Sequence, residues 1–315
     1  MTGNRIQFGA AVRSPYDVAT TAMRIEQLGF DILACGEHVM FHRDSASGLV
    51  SLSVAAGVTK NIKLMSAITL LPLYPPALLA KMGAALDIAS NGRFMLGVGV
   101  GGEYPPEFEA CGVPVKQRGS RTDDALEVLE RVWANTNVSY AGRYTTLSDF
   151  SLKPMPIQKP RPPIWISGRK EVAMRRAARY GDGWLPYLYT PEQLADSIEK
   201  IKRYGADLGR DMSGFKPGLF VFTTVHEDSE TAVAMAAEML RKQYAQDFRQ
   251  LVHKYALAGN PDECRARLNE YIEAGARLVL FAPTCPDSEL DTHVQRIARE
   301  LVDVCRTDPT DPDIS

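Results

Sequence analysis

Gly36-Glu37-His38 directly follows the apolar run 30–35, so a carboxyl and an imidazole stand together where a strand ends. Such a pair can hold, take or give a proton near neutral pH. A strand-end histidine can equally be a structural hydrogen-bonding group. His42 lies four residues further on, a spacing that on a helix could bind a metal. This segment follows a strand and offers no third ligand, so no metal is expected. Ser167-Gly168-Arg169-Lys170 opens a helical pattern after the run 163–167. Free backbone N–H groups, the positive helix end and two cations suit an anion such as phosphate. The plainer alternative is a solvated helix start, in keeping with Arg175, Arg176 and Arg179 further along.

A third group is Gly97-Val98-Gly99-Val100-Gly101-Gly102, which formally matches the dinucleotide pattern G-x-G-x-x-G. That fingerprint needs a helix to open at its third glycine, and Tyr104-Pro105-Pro106 forbids one. Two readings remain. The glycines form a tight turn that needs their dihedrals, or they keep backbone bare so that a flat cofactor ring can lie against it. No Ser-His-Asp order, P-loop or strand-end Schiff-base lysine is present. Among barrel chemistries this leaves one in which a cofactor performs the hard step.

These groups must be positioned by the elements that end at them. The stretch 62–103 reads as strand, helix, strand, with continuous apolar strands suited to a sheet covered on both faces. Further strands are expected over 5–12, 30–35, 163–167, 183–187, 218–225 and 278–282, each followed by a helical pattern. Eight strands alternating with helices predict an α/β fold, a (β/α)8 TIM barrel. Residues 137–162 read as a hairpin insertion before strand five. The two helical segments 229–243 and 246–256 read as an insertion after strand seven. One domain is expected over 1–306, with a disordered polar tail over 307–315.

Composition agrees with a soluble globular protein. Apolar residues make up 45% and charged residues 23%, and the net charge of -2 gives no bulk attraction to nucleic acid or an anionic membrane. No apolar stretch reaches the length of a membrane span. The opening MTGNRIQFGAAV enters a strand pattern without a signal-peptide layout, so a cytoplasmic location is expected. Five widely spaced cysteines with no Cys-x-x-Cys predict buried or incidental thiols, not a disulfide framework or zinc site.

Several blocks resemble a known family, in order and over nearly the whole chain. They are EQLGFDILACGEHV (26–39), IKLMSAITLLPLYPPALLAKMGAALDIASNGRFMLGVGVG (62–101), EF…GVP…RGSR…ALEVL…VW (107–133), PPIWISGRKEVAMRRAARYGDGWLP (162–186) and NPDECRARLNEYIEAGARLVLF (260–281). The chain resembles the bacterial luciferase-like monooxygenases, a group that includes deazaflavin (coenzyme F420)-dependent oxidoreductases. Gly36-Glu37-His38, the LLPL turn and the LGVGVG strand look most like the deazaflavin-using branch.

The resemblance implies a homodimer that binds a flavin or deazaflavin at the strand C-termini and acts on a small molecule. It implies a non-proline cis peptide at Ala67–Ile68, next to Ser66, behind the ring system. It places His38 near the reactive ring, with Glu37 expected to orient it. Gly99, Gly101 and Gly102 fall beside the ring, and Ser167, Gly168 and Arg169 on the phosphate loop. Gly102 stands where many relatives carry tryptophan, which leaves room for Glu103 or Tyr104. Lys170, Lys60 and Lys63 are further candidates to meet the anionic deazaflavin tail. The leading expectation is hydride transfer between coenzyme F420 and a small organic substrate. The alternatives are an FMN-dependent, oxygen-activating monooxygenase and a cofactor-free barrel with a small-molecule-binding role.

Overall fold

The computed structural model describes residues 5–12, 14–42, 44–244 and 248–307. Eight parallel strands run in chain order: β1 (Gln7–Val12), β2 (Ile32–Cys35), β3 (Lys63–Ser66), β4 (Phe94–Gly99), β5 (Ile164–Ser167), β6 (Gly183–Leu185), β7 (Lys216–Val225) and β8 (Leu278–Pro283). Each pairs with the next, β8 pairs with β1, and the barrel is closed. Helices α1 (Val18–Gln27), α2 (Gly48–Val58), α3 (Pro76–Ala89), α4 (Pro105–Ala110), α5 (Arg118–Ala134), α6 (Glu171–Tyr180) and α7 (Pro191–Asp207) lie in the connections up to β7. The fold is therefore the expected (β/α)8 barrel.

The strands are apolar throughout because both faces are buried. Ile32, Ala34, Met65, Met95, Trp165, Leu185, Leu278 and Leu280 fill the barrel interior. Trp165 is accommodated because its neighbours lack side chains. A Cβ on Gly183 would lie 2.5 Å from its ring, and one on Gly218 3.0 Å away. Alternate residues such as Leu33, Leu64, Leu96, Ile166 and Phe281 pack outward against the helices.

Two excursions leave this frame. Strands Val138–Ala141 and Thr146–Phe150 form an antiparallel hairpin before β5. After β7 come helices α8 (Ser229–Tyr244) and α9 (Arg249–Tyr255) and a short strand, Leu257–Gly259, which pairs with β7. Asn260 then caps α10 (Pro261–Glu273), accepting from the Glu263 N–H at 3.0 Å while Glu263 accepts from the Asn260 N–H at 3.1 Å. Beyond β8, α11 (Leu290–Ile297) passes into a π-helical turn. The tail 308–315 lies outside the described residues. Among the described residues no helix is long and apolar enough to cross a membrane. Cys35, Cys264 and Cys285 are buried.

The third strand departs from its sequence pattern. The apolar run 62–71 reads as one strand, but β3 stops at Ser66 and pairing resumes over Thr69–Leu70, which runs beside β4. The peptide bond Ala67–Ile68 between them is cis. A short 3-10 turn, Leu71–Leu73, then leads into α3. Strand six is also shorter than expected and ends at Leu185; Tyr187 makes an isolated bridge to Phe220.

Candidate active site

The break in β3 sits at the C-terminal mouth of the barrel, between β2 and β4. Its neighbours approach so closely that only glycine fits. A Cβ on Gly36 would fall 2.8 Å from the Ala67 carbonyl oxygen, and one on Gly97 only 2.1 Å from that of Ser66. One on Gly99 would fall 1.9 Å from Ile68 Cδ1. Ser66 Oγ donates to the Gly97 carbonyl at 2.9 Å and accepts from the Gly97 N–H at 3.0 Å, which clamps β3 to β4. Ser66, Ala67, Ile68 and Gly99 are thus brought together. Gly101 and Gly102 then turn the chain away with φ of 59° and 99°, where other residues are strained. The turn reading of these two glycines is therefore required by the backbone.

His38 leaves the end of β2 and meets a carboxylate from a distant part of the chain. Its Nδ1 lies 3.1 Å from Glu107 Oε2, and the same oxygen accepts the Val39 N–H at 3.1 Å. Glu107 is fully buried in the first turn of α4. Its other oxygen, Oε1, has no hydrogen-bond partner among the described residues. The imidazole stacks on Phe41, with ring centroids 3.9 Å apart and planes within 9°. His42 packs on the same phenyl ring at 4.0 Å, and Tyr104 meets that ring edge-on at 5.3 Å.

Glu37 does not orient His38, contrary to expectation. Its Oε1 accepts the Leu70 N–H at 2.9 Å and its Oε2 the Tyr74 hydroxyl at 2.8 Å. Burial pushes its carboxyl above the usual range, against the pull of those donors. Burial and Glu37 together push the Tyr74 phenol up as well. Glu37 is a tie between the end of β2 and the turn before α3. Sequence reasoning missed Glu107 because it reads as an ordinary acid in a helix's first turn. Its place in the string that carries the family resemblance was the one available signal.

The loop after β5 is built around Gly168, whose φ is 127° and whose added Cβ would fall 2.8 Å from that of Ala173. Trp184 Nε1 donates to the Gly168 carbonyl at 2.9 Å, and the Tyr189 hydroxyl donates to the Arg169 carbonyl at 3.0 Å. With its carbonyls held, the loop leads into α6, whose first turn has no side-chain cap. Arg169 and Lys170 are exposed there. The Arg169 guanidinium lies 4.9 Å above the Tyr187 ring, and the Tyr187 hydroxyl donates to Glu103. Ser167, Gly168 and Arg169 thus lie in one loop that carries cations and leads into the start of a helix. Lys60 and Lys63 cannot join it. Lys63 opens β3, next to Lys216 that opens β7, and so lies at the opposite mouth of a parallel barrel. A cavity of 1040 Å³ lies outside the barrel among α8, α9 and α10 and includes none of these residues.

A family model described as luciferase-like monooxygenase matches residues 1–278. The F420-dependent glucose-6-phosphate dehydrogenase of Amycolatopsis mediterranei (strain U-32) is 25% identical over 320 residues, covering 90% of this chain and 91% of its own. The FMNH(2)-dependent dimethylsulfone monooxygenase of Pseudomonas putida is 30% identical over 187 residues, 58% of this chain and 50% of its own. A solved F420-dependent secondary alcohol dehydrogenase, in complex with an F420-acetone adduct, superposes with a TM-score of 0.84 at 21% identity, covering 95% of this chain and 99% of that one. That likeness shows the shared barrel.

Proposed function

The chain belongs to the luciferase-like monooxygenase family, and on that premise we propose that it moves a hydride between coenzyme F420 and a small organic substrate. The observation that carries this reading is His38 held against the buried Glu107, at the strand mouth where Gly36, Gly97 and Gly99 leave the backbone bare. The donor set fits a phosphorylated flavin-type group. The start of α6, with Arg169 and Lys170, would hold its phosphate. Ser66, Ala67 and Ile68, with the bare backbone of Gly99, Gly101 and Gly102, would back its ring.

When bound, the deazaflavin supplies the hydride chemistry. The protein's part is to place and move a proton. A carboxylate facing Nδ1 favours the tautomer with its proton on that nitrogen, so Nε2 is left as the atom that takes or gives one. Glu107 holds the ring by its Nδ1 side, and the Val39 N–H keeps the carboxyl group in place. The Phe41 stack fixes the ring plane. One domain over 1–306 in the cytoplasm is part of the same reading.

A second reading is an FMN-dependent, oxygen-activating monooxygenase, favoured by the 30% identity to the FMNH(2)-dependent relative. Side-by-side titration of F420 and FMN at several salt concentrations separates the two. F420 is expected to bind more tightly, with an affinity that falls faster with salt because more charge pairs are screened. Tight FMN binding alone would favour the monooxygenase.

We also propose a homodimer formed through α2. Its eleven residues include no charge, yet Val50, Val54 and Val58, each four residues apart, are 60%, 42% and 36% exposed. An apolar stripe without charges can face its own copy across a two-fold axis without like-charge repulsion. Light scattering should give twice the chain mass for the native protein and the chain mass for Val54→Glu. A monomeric native protein rejects the dimer.

A further inference from the structure

Gly102 lies in the turn just past β4, and the space beside it is taken by Arg118. A Cβ on Gly102 would fall 2.7 Å from Arg118 Nε and 2.9 Å from its Cδ. The side-chain-free position is what lets the arginine in. Neither Glu103 nor Tyr104 fills the gap: Glu103 is bonded to Tyr187, and Tyr104 packs on Phe41.

Arg118 is partly buried, and its guanidinium has donors to spare. Among the described residues its guanidinium makes one hydrogen bond, from Nη1 to the Val115 carbonyl at 2.9 Å, and it pairs with no carboxylate. Arg121 is in the same state, with one hydrogen bond to Gln117 Oε1 at 3.1 Å and its guanidinium over the Tyr144 ring, whereas several other partly buried arginines have carboxylate partners. Arg161 pairs with Asp182, Arg176 with Asp123 and Arg306 with Asp31. Arg93, without such a pair, donates to four carbonyls and a hydroxyl. The remaining N–H donors of Arg118 are not among the buried unsatisfied atoms, so they are open to solvent and to an incoming anion.

We propose that Arg118 anchors the substrate, and that the substrate is a small organic acid whose carboxylate its guanidinium receives. A planar fork of N–H donors matches a carboxylate in a bidentate pair. The anchor and the proton-transfer group are joined through one short segment: Gly102 touches Arg118, and Glu107, five residues on, holds His38. The two carboxylates that would repel an incoming acid are both engaged, Glu103 by Tyr187 and Glu107 by His38 and Val39. An oxyanion at Arg118 could also come from the deazaflavin's tail. The cationic loop at Arg169, on the next strand, already offers a separate place for that charge. The proposal rests on the oxidoreductase reading above, but its test does not need turnover.

Benzoate against benzamide, and acetate against acetamide, are titrated by calorimetry into cofactor-free protein and into protein saturated with F420. The acids should bind about tenfold more tightly than the amides. Arg118→Gln should abolish that preference and Arg118→Lys should keep part of it, with melting temperatures showing that both variants fold. Equal affinity for acid and amide in the native protein overturns the proposal, as does a preference that survives Arg118→Gln. If Arg118→Gln instead weakens F420 binding about tenfold and leaves the acids unaffected, the anion is the cofactor's and the substrate anchor is refuted. An Arg118-dependent preference for acids in protein that takes up no F420 would keep the anchor and reject the deazaflavin reading.

Discussion

Replacing Glu107 by glutamine tests the proton-transfer site with little change of shape. The carboxylate serves two donors from one oxygen, His38 Nδ1 and the Val39 N–H, both at 3.1 Å. An amide has one oxygen to offer. If that oxygen keeps the Val39 N–H, the amide NH2 is set against Nδ1, which must then accept. The proton moves to Nε2, and Nδ1 loses its carboxyl partner. Loss of a general acid-base group lowers turnover by about two to four orders of magnitude, and mispositioning by the wrong tautomer belongs to the upper part of that range. Stability should move far less. Each charge-assisted bond weakened costs about 1 kcal/mol. Removing a buried charge whose Oε1 has no partner offsets part of that. Glu107→Ala, by contrast, opens a cavity and leaves the Val39 N–H without its acceptor, for a loss of about 2–4 kcal/mol. Turnover is followed by the absorbance of the flavin-type cofactor, the tautomer by imidazole nitrogen shifts, and stability by urea midpoints. A Glu107→Gln protein with native turnover and the native tautomer would refute the role given to this pair.

Three further changes probe the frame around it. His38→Ala should lower turnover by about two to four orders of magnitude without unfolding the barrel; native turnover would reduce His38 to scaffold. Gly97→Ala sets a Cβ 2.1 Å from the Ser66 carbonyl oxygen, part of a backbone that cannot swing aside, and should cost about 3 kcal/mol or more in chemical denaturation. Gly99→Ala meets the movable Ile68 side chain instead and should cost less; the reverse ranking would contradict the packing described. Glu37 has its carboxyl raised by burial, so its contribution to stability is present below its ordinary value of 4.5 and is lost as pH rises through the raised one. Stability of Glu37→Gln relative to the native protein should therefore improve from about pH 4 to about pH 8; a gap that does not change with pH would place the raised titration elsewhere.

The barrel was legible because eight apolar runs, each bounded by turn residues, dictate buried parallel strands, and no alternative uses them all. The break at Ala67–Ile68 was not legible from pattern, since 62–71 is apolar on both sides of it; only the family resemblance pointed there. Its supports are visible in hindsight as glycines at 36, 97 and 99, but a glycine gives no sign of which neighbour it admits. The cations failed for a definable reason. Lys60 and Lys63 precede a strand, and in a parallel barrel the residues before a strand and those after it lie at opposite mouths. Chain direction alone could have excluded them.

The assignment of Glu37 as the partner of His38 shows what sequence adjacency conceals. Successive side chains leaving a strand point to opposite sides. Residue 38 can therefore face the pocket only if residue 37 faces away, and Glu37 duly reaches back to Leu70 and Tyr74. The carboxylate that serves His38 had to come from another element, 69 positions along the chain. It arrives because Gly101 and Gly102 turn the chain at the end of β4 and Pro105-Pro106 start a helix at once, which brings Glu107 over the end of β2. The glycines that resembled a phosphate-binding fingerprint and the prolines that ruled it out act together as the device that delivers the acid. The same turn, by leaving position 102 without a side chain, admits Arg118. The bare backbone at position 102 thus links the group that would move the proton to the group that would hold the substrate.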